Sequence, residues 1–211
     1  MSYELYVVTD EGLSRGFTHL QIADLAVKGG ADVIQLRDKN RSGKELYEVA
    51  CVIHDITAKA GVLFIVNDRL DIALASRADG VHIGQQDLPL AIVRSLAARP
   101  FIIGVSVTSV LEAMLAEQEG ADYVAVSPVF TTGSKDDAGP GLGIEMVREI
   151  SSTISIPVIG IGGINPENAG DVFTAGAVGV AVISAVVSQP DITNATKAFK
   201  SRIQDLRRQI P

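Results

Sequence analysis

Eight times along this chain a short run of β-branched and aliphatic residues gives way to a longer stretch with helical spacing. The strand-like runs are Leu5–Val8, Val33–Leu36, Val62–Val66, Gly80–Ile83, Ile102–Val105, Tyr123–Val126, Pro157–Ile161 and Gly179–Ile183. Helical patterns follow at Thr18–Lys28, Gly43–Ala60, Arg69–Ser76, from Leu88, at Val110–Glu119 and Ile144–Ser152, from about Pro166 with Asn165 as N-cap, and at Ile192–Arg208. The segments GGADVI, RADGVH, EGADYV and AGAVGV each close a helix on glycine or a small residue and open a strand. The strands are apolar almost throughout rather than alternating, as happens when both faces of a parallel sheet are covered. No linker or low-complexity segment interrupts the 211 residues. The pattern predicts an α/β chain folded as one (β/α)8 TIM barrel over residues 1–211; an open doubly wound sheet is the other arrangement it permits.

Composition narrows the functions such a barrel could serve. A formal charge of −7 and the absence of tryptophan argue against a general nucleic-acid binder, so any anionic ligand must be held by local cations. The longest uncharged apolar stretch, Ala175–Val187, contains glycines and is shorter than the ~20 residues needed to span a bilayer. The opening MSYELYVVTDEG lacks a basic region followed by an apolar run, so no signal peptide is expected. A single cysteine, Cys51, excludes an internal disulfide framework and fits a reducing, cytoplasmic setting.

In a barrel the carboxyl ends of all strands meet on one rim, where chemistry is carried. After the second predicted strand comes QLRDK, with Gln35, Arg37 and Lys39; after the third, Asn67 and Asp68; after the fourth, Asp87. The fifth leads to Ser106, the sixth to SPVFTTGSKDDAGPG, the seventh to Gly162–Gly163 and the eighth to Ile183–Ser184. Asp68 and Asp87 on adjacent strand ends repel each other unless a cation intervenes, and Mg2+ takes one or two carboxylates plus phosphate oxygens and water. Each aspartate alone could instead cap the helix that follows it. Arg37 and Lys39 offer a fork and a point charge to a diphosphate. Gly162, Gly163, Ile183 and Ser184 fall where many barrels bind a phosphate. The long loop carries Thr132, Ser134 and Lys135 over the rim, as a mobile lid would. Two phosphate-binding areas suggest two phosphorylated reactants. His82 reads as a core histidine, and His19 and His54 fall in helices.

The motifs YVVTD, QLRDK, VNDR, GVHIGQQDLP, GVSVTS, SPVFTTGSKDDA and IGGINPENA, in this order over about residues 5 to 185, resemble the thiamine-phosphate synthase family. The resemblance implies coupling of hydroxymethylpyrimidine diphosphate to thiazole phosphate, or its carboxylated tautomer, with release of pyrophosphate and a requirement for Mg2+. It implies that Gln35, Leu36, Arg37, Asp38, Lys39, Asn67, Ser106 and Lys135 hold the pyrimidine diphosphate, with Arg37, Lys39, Ser106 and Lys135 as the catalytic set. Asp68 and Asp87 would carry the metal, and Thr132, Gly133, Ser134, Gly162, Gly163, Ile183 and Ser184 the thiazole phosphate. The chain departs from the family pattern at Ser127, where glycine is usual, at Ser134, where threonine is usual, and at Thr108, where many relatives carry histidine. A tautomerase on the same scaffold would need a base near the ring and no diphosphate-and-metal set; a non-catalytic ligand-sensing barrel would need neither. The expected partners are phosphorylated small molecules, with no nucleic acid and no membrane; the reading leaves room for a homo-oligomer.

Overall fold

The computed structural model describes residues 3–133 and 139–209. Eight parallel strands close into a barrel: β1 (Leu5–Val8), β2 (Val33–Leu36), β3 (Leu63–Asn67), β4 (Gly80–Ile83), β5 (Ile102–Val107), β6 (Tyr123–Val126), β7 (Val158–Ile161) and β8 (Gly179–Val182). Closure is made by β1, whose Tyr6 is in register with Val33 of β2 on one side and Ala181 of β8 on the other. The open sheet is thereby excluded. Six of the strands are buried along their whole length, as their unalternating apolar sequences require.

The outer layer consists of α1 (His19–Lys28), α2 (Gly43–Ala60), α3 (Leu70–Ala75), α4 (Leu90–Leu96), α5 (Val110–Gln118), α6 (Ile144–Thr153), α7 (Ala169–Thr174) and α9 (Ile192–Gln209), with a short α8 (Ser184–Val187) just after β8. Local chemistry sets several of their ends. Thr18 with Gln21, and Ser42 with Glu45, form capping boxes that satisfy the first orphan N–H groups of α1 and α2. Gly61 ends α2 in the left-handed conformation. Among the described residues no helix is long and apolar enough to cross a membrane.

Three departures from the sequence expectation shape the rim. β3 extends to Asn67 and β5 to Val107, so Asn67 and Ser106 are strand residues held by the ladder. The seventh helix starts at Ala169 rather than near Pro166. Asn165 Oδ1 accepts the N–H groups of Glu167 (3.0 Å) and Asn168 (3.1 Å), while Asn168 Oδ1 accepts that of Asn165 (2.8 Å); this turn competes with the helix. α8 was not anticipated, because its four residues show no periodicity of their own.

Candidate active site

A cavity of about 510 Å³ opens at the carboxyl ends of β2 to β6. Arg37, Lys39, Asn67, Asp68, Asp87, Ser106 and Thr108 line it, as do His82, Ser127 and Pro128. Of the residues expected to serve the pyrimidine diphosphate and the metal, it therefore gathers Arg37, Lys39, Asn67, Ser106, Asp68 and Asp87. Neither aspartate is a helix cap: α3 is preceded by Arg69 and α4 by Pro89, both without a side-chain capping bond. Asp68 takes a left-handed backbone (φ 61°), unusual outside glycine, with its N–H bonded to the His82 carbonyl at 2.8 Å. Asp87 Oδ2 accepts the Gly84 N–H at 2.7 Å, which fixes its carboxylate on the cavity wall.

Arg37 is held from behind. Its Nη1 lies 3.2 Å from Asp10 Oδ2. Arg37 and Lys39 also border a second, charged cavity of about 850 Å³, with Asp10, Glu11, His19, Asp38 and Arg41. Asp38 faces this second space rather than the first. It accepts the backbone N–H groups of Asn40 (2.8 Å) and Arg41 (3.1 Å), Arg41 Nε (2.9 Å) and a bond with His19 Nε2 (3.0 Å). Burial alone would raise the Asp38 carboxyl, but these donors outweigh it and hold the group below its ordinary value. Asp38 thus organises the loop behind Arg37 and Lys39. Leu36 is buried in the core. Gln35 lies below the rim, 4% exposed, beside a small interior cavity that it shares with Tyr6, His82 and Tyr123.

A separate cleft is lined by Thr132, Gly162, Gly163, Ile183 and Ser184, five of the seven residues expected around the thiazole phosphate. Gly162 (φ 101°) and Gly163 (φ 64°) make a turn that only glycine fits. A Cβ on Gly162 would lie 2.5 Å from Pro128 Cβ, and one on Gly163 2.8 Å from Phe130 Cβ. α8 begins at this cleft, and the first turn of a helix carries donors with no intrahelical acceptor. Gly133 borders the 850 Å³ cavity instead. Ser134 and Lys135 lie outside the described residues. Ser127 and Pro128 line both the cleft and the 510 Å³ cavity, so the two spaces meet there. Thr108 is engaged by Glu112 Oε2, which accepts its N–H at 2.6 Å and its hydroxyl at 3.0 Å.

Sequence reasoning missed two groups. Asp10, Glu11, His19 and Arg41 brace the second strand's loop; VVTDEG at the end of β1 carried that signal, had the rim rule been applied to the first strand. Tyr6, Tyr123 and His82 form a buried polar chain inside the barrel. His82 is buried, as a core histidine would be, and also borders the cavity, with Nδ1 bonded to Tyr123 Oη (2.9 Å) and Nε2 to Ser106 Oγ (2.8 Å).

Fold and rim together define a (β/α)8 barrel with a charged, polar cavity at the carboxyl ends of its strands, the architecture of a barrel enzyme. Residues 5–186 match the family model described as thiamine monophosphate synthase. The chain is 56% identical over 203 residues to the thiamine-phosphate synthase of Methanoculleus marisnigri, covering 96% of each. It is 57% identical over 207 residues to that of Methanocella arvoryzae, covering 98% of each. Among solved structures, a thiamine phosphate pyrophosphorylase from Pyrococcus furiosus superposes with a TM-score of 0.89 at 40% identity over 96% of both chains. A 3-hexulose-6-phosphate synthase structure, 18% identical with a TM-score of 0.74, shares the fold alone. The chain belongs to the thiamine-phosphate synthase family.

Proposed function

We propose that this chain is a thiamine-phosphate synthase, a transferase that joins hydroxymethylpyrimidine diphosphate to thiazole phosphate, or to its carboxylated tautomer with loss of CO2, and releases pyrophosphate. One observation carries the assignment of roles to its two spaces: the cavity lined by two cations and two carboxylates meets the glycine-turn cleft at Ser127–Pro128. A diphosphate in the first and a phosphate in the second would bring the pyrimidine methylene and the thiazole nitrogen together at that junction.

The residues present fit Mg2+. Asp68, Asp87 and Asn67, whose side chains carry hard oxygen donors, line the same cavity. Among the described residues no group of three or more His, Cys, Asp or Glu side chains could cage a metal. Two carboxylates suit an ion that keeps waters and takes phosphate oxygens from its substrate, and do not suit a closed protein cage. Bound there, Mg2+ would neutralise charge on the departing diphosphate.

In the reaction the bond between the methylene carbon and the diphosphate oxygen breaks, the electron pair leaving with pyrophosphate. The electron-rich aminopyrimidine spreads the resulting positive charge, and the thiazole nitrogen lone pair then forms the new C–N bond. Arg37 and Lys39 stabilise the growing negative charge on the leaving group. No strong general base is required, in keeping with a His82 whose two ring nitrogens are both engaged. A tautomerase would have no use for this cation and carboxylate set. A homo-oligomer is part of the reading, with the half-exposed Leu88, Ile92, Leu96, Leu111, Met114 and Leu115 as the apolar face a second copy would cover. So is a cytoplasmic location, which the single, unpaired Cys51 fits. The test is to mix both phosphorylated precursors with the protein and Mg2+. Pyrophosphate and thiamine phosphate appearing in equal amounts, and lost on chelation, support the reading; interconversion of thiazole tautomers without coupling overturns it.

A further inference from the structure

Gln35 and Ser106 stand at the two ends of a hydrogen-bond chain that runs through the inside of the barrel. Gln35 Nε2 donates to Tyr6 Oη at 2.8 Å, and the Tyr6 and Tyr123 hydroxyls are 2.9 Å apart. Tyr123 Oη lies 2.9 Å from His82 Nδ1, and His82 Nε2 lies 2.8 Å from Ser106 Oγ. Burial pushes both phenols above their ordinary range, so they stay protonated across the working pH range. The barrel gives up a side chain to admit the link. A Cβ on Gly104 of β5 would lie 2.0 Å from Tyr123 Cζ and 2.3 Å from its hydroxyl oxygen. The Tyr123 ring also stacks on His82, with centroids 5.6 Å apart.

One direction of donation satisfies every member. The Gln35 amide N–H occupies the Tyr6 oxygen, so the Tyr6 proton goes to the Tyr123 oxygen and the Tyr123 proton to His82 Nδ1. The imidazole then carries its own proton on Nε2 and gives it to Ser106 Oγ. The reverse direction would need the Gln35 amide turned to present Oε1, whereas Nε2 faces Tyr6 Oη. Ser106, already an acceptor from His82, is left to donate its hydroxyl into the 510 Å³ cavity. Resting on the coupling reaction above, we propose that Tyr6, Tyr123 and His82 are positioning residues that fix Ser106 as a hydroxyl donor to the pyrimidine diphosphate, through a His82 that donates to Ser106 from Nε2.

The first test needs no turnover. The 15N shifts of His82, assigned by comparison with His82→Gln, should show a protonated Nε2 and a bare Nδ1; a protonated Nδ1 overturns the proposal. The second is a double-mutant cycle in the coupling assay. Tyr123→Phe should lower kcat/KM for the pyrimidine diphosphate about 10- to 100-fold, with KM for thiazole phosphate little changed. In a Tyr123→Phe background, Ser106→Ala should then cost less than about threefold more. Full multiplication of the two effects, or wild-type kinetics in Tyr123→Phe, overturns it. If Tyr123→Phe does not fold, Tyr6→Phe takes its place in the cycle with the same expectation. A wild-type protein that couples nothing would sink the functional reading, while the His82 tautomer would still decide this one.

Discussion

Arg37 Nη1 rests 3.2 Å from Asp10 Oδ2, so the cation that faces the rim cavity is itself anchored by a carboxylate from the end of the neighbouring strand. Asp10 is also tied into its own loop, its Oδ1 accepting the Leu13 N–H at 3.0 Å. Arg37→Lys removes the fork while keeping the charge, and should lose about 10- to 100-fold in kcat/KM for the pyrimidine diphosphate. Asp10→Asn keeps the shape but loosens the anchor, and a loss of about 10-fold is expected. Steady-state kinetics with each substrate varied in turn check both; an Asp10→Asn enzyme with unchanged constants would remove Asp10 from the account.

Asp68 is held where a glycine would sit more easily, at φ 61°. Left-handed backbone costs a residue with a side chain ~1–2 kcal/mol, and the extra freedom of glycine in the unfolded chain returns ~0.5–1 kcal/mol of that. Asp68→Gly therefore relieves at most ~1.5 kcal/mol of backbone cost, gives up whatever the aspartate side chain contributes, and should lose coupling activity. Thermal unfolding alongside the coupling assay separates the two effects. A variant both unstable and inactive would show that Asp68 holds the fold rather than the reaction.

The turn at Gly162–Gly163 carries the opposite signature. Ala at position 162 would meet Pro128 at 2.5 Å on a backbone with φ 101°. Gly162→Ala should cost at least about 2 kcal/mol, lowering the thermal midpoint by roughly 4–8 °C. In whatever fraction stays folded, KM for thiazole phosphate should rise more than KM for the pyrimidine diphosphate.

The bracing cluster behind Arg37 gives stability a pH dependence of known sign. Burial would raise both Asp38 and Glu11. Backbone donors and the partners His19 and Arg41 outweigh it, so the folded protein holds both below their ordinary values of 3.8 and 4.5. A depressed folded pKa contributes stability that is present above the unfolded value and is lost as pH falls through it towards the folded one. Unfolding free energy in urea should thus decline from about pH 5 to pH 3, and Asp38→Asn should flatten that decline. An unchanged slope in the variant would mean that Asp38 contributes none of it.

The barrel could be read from the chain because its strands are covered on both faces. Leu5–Val8, Val33–Leu36, Gly80–Ile83 and Tyr123–Val126 have in the structure the bounds their largely apolar runs predict, with Gln35 and His82 the polar residues within them. The gathering of Arg37, Lys39, Asn67, Asp68, Asp87 and Ser106 at one cavity followed from the same alternation, since each follows or ends a strand. What escaped depends on distance along the chain. Tyr6 and Tyr123 are 117 positions apart, and nothing local in either strand marks a hydroxyl partner across the barrel. Asp38 sits between two cavity residues in QLRDK, yet its side chain is claimed by His19 and Arg41. Motif position could not distinguish it from its neighbours.

The central claim is that Asp68 and Asp87 together hold the divalent cation that serves the diphosphate. Its most direct test is the dependence of the initial rate of pyrophosphate release on Mg2+ concentration, compared between the wild type and Asp87→Asn. The account predicts that half-saturating Mg2+ rises at least about 10-fold in the variant, with KM for thiazole phosphate unaltered. An Asp87→Asn enzyme that saturates at the wild-type Mg2+ concentration would contradict it.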